Sequence, residues 1–289
     1  TIGGQPATLV RVVSPNEIVV RAPNLAVGFH DVVVRMGDET YRRNAAYHFF
    51  DYTAPAHEAF FEPVLLPVLF KGPGAFGSQW DVEATIRNAN EYPLSTPHAS
   101  WFDVLCMPVC EQRTPANTTR RSQKSNAPYG AIELIPRQAA PLVSYGLLIR
   151  DLSRQSEALG TEVPVVREHE LYSRAYSLVN VPTDSRFRTS LRVYALQPAM
   201  TTSVGVRIST MDGTLLVDEQ LLVPKERDDR TEPAYVLVPD ILARWPQLAG
   251  KGSVTIELVP GGGHGAPKSW AFASVTNNTT QHVTVISPQ

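Results

Sequence analysis

No stretch of about 18 uninterrupted apolar residues occurs in this chain, so none of it is long and apolar enough for a membrane-spanning helix. The longest apolar run, Pro63 to Phe70, is broken by Pro67. A basic, apolar and small-residue leader is likewise missing at Thr1, so an export signal, if there is one, has already been removed. Charge of one sign is also lacking: 26 Lys and Arg face 28 Asp and Glu, for a net charge of -2 at pH 7. The two signs are interspersed, which removes the electrostatic case for nucleic acid or an anionic membrane as partner.

Catalytic signatures are scarce. There is no G-x-S-x-G elbow and no H-E-x-x-H, and the 7 histidines are scattered. His57-Glu58 and His169-Glu170 sit beside expected module junctions and read as solvated linker charges. His264, within Gly261-Gly262-Gly263-His264-Gly265, could stand beside backbone amides that hold an anion. That run joins two strands and not a strand to a helix, so a flexible hairpin connection fits it better. Asp228-Asp229 could contact calcium, but their basic neighbours make them a mutually neutralised loop. No cofactor is expected.

Cysteine is nearly absent, with only Cys106 and Cys110. In an extended strand their Cα atoms would lie ~13 Å apart, too far for a disulfide, whereas a turn at Pro108 would bring them together. The expected disulfide closes a short loop, stabilises by about 2 kcal/mol and favours an oxidising, extracytoplasmic compartment. Two buried thiols, or a metal site shared with His98, are the alternatives; three candidate ligands fall short of the four of a structural zinc site.

Turn formers are plentiful, with 24 Pro and 18 Gly among 289 residues. Between them run short β-branched and aromatic segments, the pattern of all-β sandwiches, and the length suits two or three domains. Trp80 to Arg87 alternates with apolar residues at 80, 82, 84 and 86, and the same period recurs at Phe187 to Tyr194, Val204 to Ile208 and Val254 to Leu258. Asp212-Gly213 marks a hairpin turn. Pro239 to Trp245 predicts one or two helical turns, favoured by Asp240 at the start, stopped by Pro246, and plugging a sandwich end with Leu242 and Trp245. Glu111 to Gly130 predicts a polar loop of about 20 residues. Its Arg113, Arg120, Arg121 and Lys124 could dock an acidic surface or glycan, or simply keep a crossover soluble. Asn117, Asn277 and Asn278 each begin an N-x-[ST] triplet.

The opening segment carries Gly3-Gly4-Gln5-Pro6-Ala7, a strand Glu17 to Arg21 leading to Ala22-Pro23, then Gly28 with a strand Asp31 to Arg35, and Ala46-Tyr47-His48-Phe49. In this order residues 1–51 resemble the C-terminal part of an IPT/TIG domain, an Ig-like sandwich module. The family's N-terminal strands have no counterpart here. A sandwich lacking strands exposes core and edge, so two readings stay open: the chain begins inside a longer polypeptide, or another chain supplies the strands. In the second, the assembly surface comprises Thr1, Ile2, Leu9, Val10, Ile18, Val19, Val20, Val32, Val34, Tyr47 and Phe49.

An internal repeat organises the rest. Ser78 to Asn88 aligns without gaps on Ser185 to Ala195, and the exits Tyr145 to Val166 and Ser269 to Ile286 share an order of strand, polar turn and strand. Two tandem sandwiches follow, at 52–168 and 169–289. Phrases such as GAFGSQW, IRDLSRQ, GTEVPVVRE and ASVTNNTTQHVTVISPQ resemble modules of secreted bacterial proteins, a likeness that implies an exported role and carries over no catalytic residue.

The expected fold is all-β, a partial Ig-like module followed by two similar sandwiches. The expected function is a non-enzymatic extracellular or cell-surface structural protein, a subunit of a bacterial assembly or filament whose partners are copies of itself. The alternative is an adhesion or carbohydrate-binding module, for which Trp80, Trp101, Trp245 and Trp270 are the side chains to locate.

Overall fold

The computed structural model describes residues 1–14, 17–25, 28–49, 61–96, 112–122, 130–154, 160–196, 201–224, 233–261 and 268–288. His57, Glu58, His98, Trp101, Cys106, Cys110, Lys124, Asp228, Asp229 and His264 lie outside these residues. The chain is all-β. Among the described residues no helix is long and apolar enough to cross a membrane.

Two hairpins build the opening segment. Strands β1 (Thr8–Ser14) and β2 (Glu17–Arg21) pair antiparallel, as do β3 (Gly28–Met36) and β4 (Glu39–Phe49). Ile2 bridges to Val32 and Gln5, and its side chain is buried.

Next come β5 (Phe61–Leu66), β6 (Gly72–Pro73), β7 (Gln79–Asn88), β8 (Leu94–Thr96), β9 (Gln112–Thr114), β10 (Thr118–Ser122), β11 (Ala131–Pro136), β12 (Val143–Asp151), β13 (Thr161–Glu162) and β14 (Val166–Arg167). They form a sheet ordered β10-β7-β12-β13, with β6 on β7, a sheet ordered β11-β5-β14, and the ribbon β8-β9. Val64, Leu66, Ile86, Leu94, Ile135 and Leu147 share one core between them. Over 112–122 the polar loop expected at 111–130 is replaced by β9 and β10, and 123–129 lie outside the described residues. A sheet edge tolerates such a polar strand, because only one side of it must pair and its charges stay at the rim.

The remaining strands are β15 (Tyr176–Pro182), β16 (Phe187–Ala195), β17 (Thr202–Thr210), β18 (Leu215–Val223), β19 (Ala234–Val238), β20 (Ser253–Pro260), β21 (Ser269–Asn277) and β22 (Val283–Ile286). They make two four-stranded sheets, β15-β20-β17-β18 and β19-β16-β21-β22, closed on a second core. β20 alternates as its sequence requires, with Val254, Ile256 and Leu258 buried. At Asp212-Gly213, Thr214 N donates to Asp212 Oδ1 and Gly213 takes φ 86°. The helix α1 (Ile241–Arg244) begins where Asp240 accepts from Leu242 N at 2.9 Å. Its plug is Ile241 and Trp245; Leu242 is only half-buried.

The repeat extends to the hydrogen-bond register. Under the gap-free alignment, Ala84↔Ser122 and Asn88↔Thr118 fall on Leu191↔Val238 and Ala195↔Ala234. On the other side, Trp80↔Asp151 and Asn88↔Val143 fall on Phe187↔Asn277 and Ala195↔Ser269. The order β10-β7-β12-β13 thus repeats as β19-β16-β21-β22. Even the turns agree: Leu152 N donates to Gln79 O and Asn278 N to Arg186 O. Asp151 Oδ1 accepts from Ser153 N at 3.0 Å, as Asn277 Oδ1 does from Thr279 N at 2.8 Å.

One turn therefore uses a carboxylate where its twin uses an amide. Burial pushes the Asp151 pKa up, but hydrogen bonds from Gln79 N and Ser153, with Arg154 nearby, outweigh it and hold the carboxyl below its ordinary 3.8. A lowered carboxyl pKa stabilises the fold above the unfolded value, and that stabilisation is lost as pH falls through the folded one. Asp151→Asn is expected to cost under about 1 kcal/mol at neutral pH and to remove this acid dependence, whereas Asp151→Ala costs about 1–3 kcal/mol. Urea unfolding of both variants from pH 7 to pH 3 is the measurement.

Candidate functional site

Three places concentrate exposed apolar surface or buried polar chemistry. The first is the β1-β2 ribbon. Leu9 pairs with Val20 and Val12 with Ile18, with register shifts between Leu9 and Arg11 and between Val12 and Ser14. Because paired residues share a face, these four form an apolar stripe. All four are exposed, at 57, 38, 64 and 47% respectively, and Val10 is exposed beside them. Val19, Val32 and Val34 are half-buried, and Thr1 is exposed. Ile2, expected on the assembly surface, is 5% exposed and serves this segment's own small core. Tyr47 and Phe49 fall within β4, opposite His30 and Gly28, but their side chains are outside the described set.

Residues 1–50 match the IPT/TIG domain. No curated protein and no solved structure matches the chain. The IPT/TIG match covers about a sixth of the sequence and identifies the opening hairpins as Ig-like sandwich elements. In such a sandwich the inward face of each sheet packs on the other sheet. Among the described residues the stripe of Leu9, Val12, Ile18 and Val20 is an apolar face of this kind on the β1-β2 ribbon.

The second place is the interior of the first sandwich. Glu62 on β5 and Arg167 on β14 form a two-pronged pair, Nε to Oε1 and Nη2 to Oε2, each 2.8 Å. Arg167 also donates to Val143 O at 3.1 Å and Ala140 O at 3.0 Å. Glu133, paired to Val64 on the same face, is 1% exposed. The Tyr145 hydroxyl is buried, and that burial, reinforced by Glu133, holds its pKa well above 10. Guanidinium, carboxylates and phenol thus converge, and the Glu62 and Arg167 pair is engaged in holding β14 to β5. Among the described residues no three His, Cys, Asp or Glu are placed to hold a metal ion.

The third place is the joint between the sandwiches. Tyr194, Trp270 and Phe272 lie on the outer face of the β19-β16-β21-β22 sheet and belong to the core of the first sandwich, with Val68 and Leu69. The rings of Tyr194 and Phe272 are near parallel at 8°, and Trp270 lies 5.5 Å from Phe272. The Tyr194 hydroxyl donates to Pro67 O, and its burial pushes the phenol pKa up to about 12. Tyr172 and Ser269 exchange two backbone hydrogen bonds of 2.8 Å, and Thr161 Oγ1 donates to Val283 O at 2.6 Å.

His169 and Glu170 border a groove of about 410 Å³ beside Tyr172 and Arg174. Glu170 accepts from Arg167 N at 2.6 Å and so closes the turn. Arg121 reaches Glu83 at 3.5 Å across the sheet. The Glu62 and Arg167 pair has no local sequence signal, since 105 residues separate its members.

Removing one partner of a buried ion pair leaves an uncompensated charge. Arg167→Met is expected to destabilise by about 3 kcal/mol, and Glu62→Gln with Arg167→Met by distinctly less. Chemical unfolding of the single and double variants decides it; equal losses would contradict the coupling.

Proposed function

We propose that this chain is a non-enzymatic structural protein of an extracellular or bacterial cell-surface assembly. In this reading residues 52–168 and 169–289 are two copies of one module, and the IPT/TIG segment is the contact element. The observation that carries it is the apolar stripe of Leu9, Val12, Ile18 and Val20, exposed on a two-stranded ribbon. An isolated two-stranded ribbon is marginal in water, and covering its apolar face stabilises it. The proposed occupant is the same ribbon of a second copy, stripe against stripe, a self-complementary contact. The rest of the molecule supports a passive role: two sandwiches held as one unit and no catalytic constellation among the described residues.

A glycan platform on exposed tryptophan has less behind it. Trp245 and Trp270 are 3% and 4% exposed and serve the cores.

Sedimentation velocity tests the assembly. The protein is expected to self-associate across the micromolar range, and Leu9→Lys with Val12→Lys to remove that association without changing thermal unfolding of the sandwiches. A wild-type protein that stays monomeric overturns the proposal.

A further inference from the structure

The two copies of the module carry opposite chemistry on the same sheet face. In the first, β7 presents Asp81 and Glu83, both buried and neutralised by their own neighbours. Arg150 lies 2.8 Å from Glu83 and 3.9 Å from Asp81, Lys71 lies 3.7 Å from Asp81, and Arg121 closes the far side. In the second copy the equivalent positions on β16 are Arg188 and Ser190, followed by Arg192. Where the first copy has Arg150 and Arg121, the second has Thr276 and, beside Arg192, Leu237. The lattice is the same, but its carboxylates are gone.

This face opens into a crevice of about 250 Å³ between the sandwiches. No Asp or Glu is among its described lining residues, while Arg188, Arg192, Ser190, Ser274 and Thr276 are. Trp80 and Phe70 of the first sandwich form the opposite wall. Arg188 is held in place from below: its guanidinium lies 5.7 Å from the ring centroid of Phe76, an exposed side chain on a left-handed turn with φ 55°. That turn is shaped by Gly74, where any Cβ would overlap Trp80 Nε1 and Ser78 Oγ. Arg188 forms no ion pair with any described residue.

We infer that this crevice binds a single carboxylate-bearing sugar ring, a uronate, either free or at the end of a glycan. A guanidinium fork matches a carboxylate in plane with two hydrogen bonds. Ser190, Ser274 and Thr276 offer hydroxyls that both donate and accept, as a sugar's own hydroxyls require. Trp80 supplies a flat apolar wall for the ring's apolar face. The volume lies below the usual range for drug-sized ligands, which restricts the occupant to about one ring. The site goes beyond the structural role and does not depend on assembly through the ribbon.

Titration calorimetry of the full chain tests this with D-glucuronate, D-glucose and acetate as probes. D-glucuronate is expected to bind saturably, and glucose and acetate at least about tenfold more weakly, since each lacks one half of the recognition. Arg188→Ala, half-buried at the rim, is expected to retain the wild-type melting temperature and lose about tenfold or more in glucuronate affinity. A uronate-terminated oligosaccharide binding more tightly than the free sugar would identify a glycan end as the source, and equal binding the free acid. Absence of saturable glucuronate binding up to millimolar concentration, or unchanged affinity in a folded Arg188→Ala protein, overturns the inference. Acetate binding as tightly as glucuronate would reduce the site to a simple anion site and overturn the sugar assignment.

Discussion

The packing of Tyr194, Trp270 and Phe272 against the Pro67 to Phe70 segment governs the rest of the molecule. Each of these rings sits on the outer face of a sandwich that already has a complete core of its own. An outer face of this kind is ordinarily polar, because antiparallel sheets in small sandwiches keep one side in water. Here three aromatic side chains occupy it, and burying large rings is among the strongest apolar contributions available. The Tyr194 hydroxyl would be costly to bury alone, and its bond to the Pro67 carbonyl satisfies both groups at once. Two cores thereby become neighbours with one shared boundary, and the uronate crevice exists only because that boundary is incompletely filled.

The repeat makes the specificity of the joint readable. Under the common register Tyr194, Trp270 and Phe272 correspond to Arg87, Ser144 and Gly146 in the first copy. None of those can present an aromatic surface, and the ion-paired Asp81 and Glu83 beside them keep the face polar. The second copy can dock on the first, but a further copy could not dock on the first copy's face in the same way. The exposed stripe of the IPT/TIG ribbon is a separate surface, apolar where the first copy's sheet face is charged.

What could be read from the sequence follows the physics of each signal. Clean alternation found β20, and the pair of Asp212 and Gly213 found its hairpin, because both signals are local. The gap-free alignment of 78–88 on 185–195 located equivalent strands although few residues agree, since register depends on spacing and not on identity. Alternation found β7 and its apolar face, but not that Asp81 and Glu83 on the other face are equally hidden; their neutralising partners come from β10, β12 and Lys71. β5 and β11 are buried on both faces, and such strands carry no period to read. The expected loop over 111–130 fails for the reason that β10 is an edge strand, where Arg and Thr are acceptable. The crevice was legible only as one tryptophan to inspect, because its walls come from strands more than a hundred residues apart.

The interior pair of Glu62 and Arg167 shows why the first sandwich accepts charge where the second does not. β14 is two residues long and pairs with β5 through Val166 and Arg167 alone. So short a strand gains little from its backbone bonds, and nothing in its sequence sets which stretch of β5 it should meet. A guanidinium that engages one carboxylate and two backbone carbonyls has a single satisfactory position, and a shift in register would leave charge unpaired in the core. A well-packed apolar pair could stabilise as much or more, but it would tolerate slippage. Since β14 leads directly into the segment that carries Tyr172 to the Ser269 bridge, a slip there would displace the joint itself. The buried charge thus sets alignment at a short strand that leads into one of the contacts by which the two sandwiches meet.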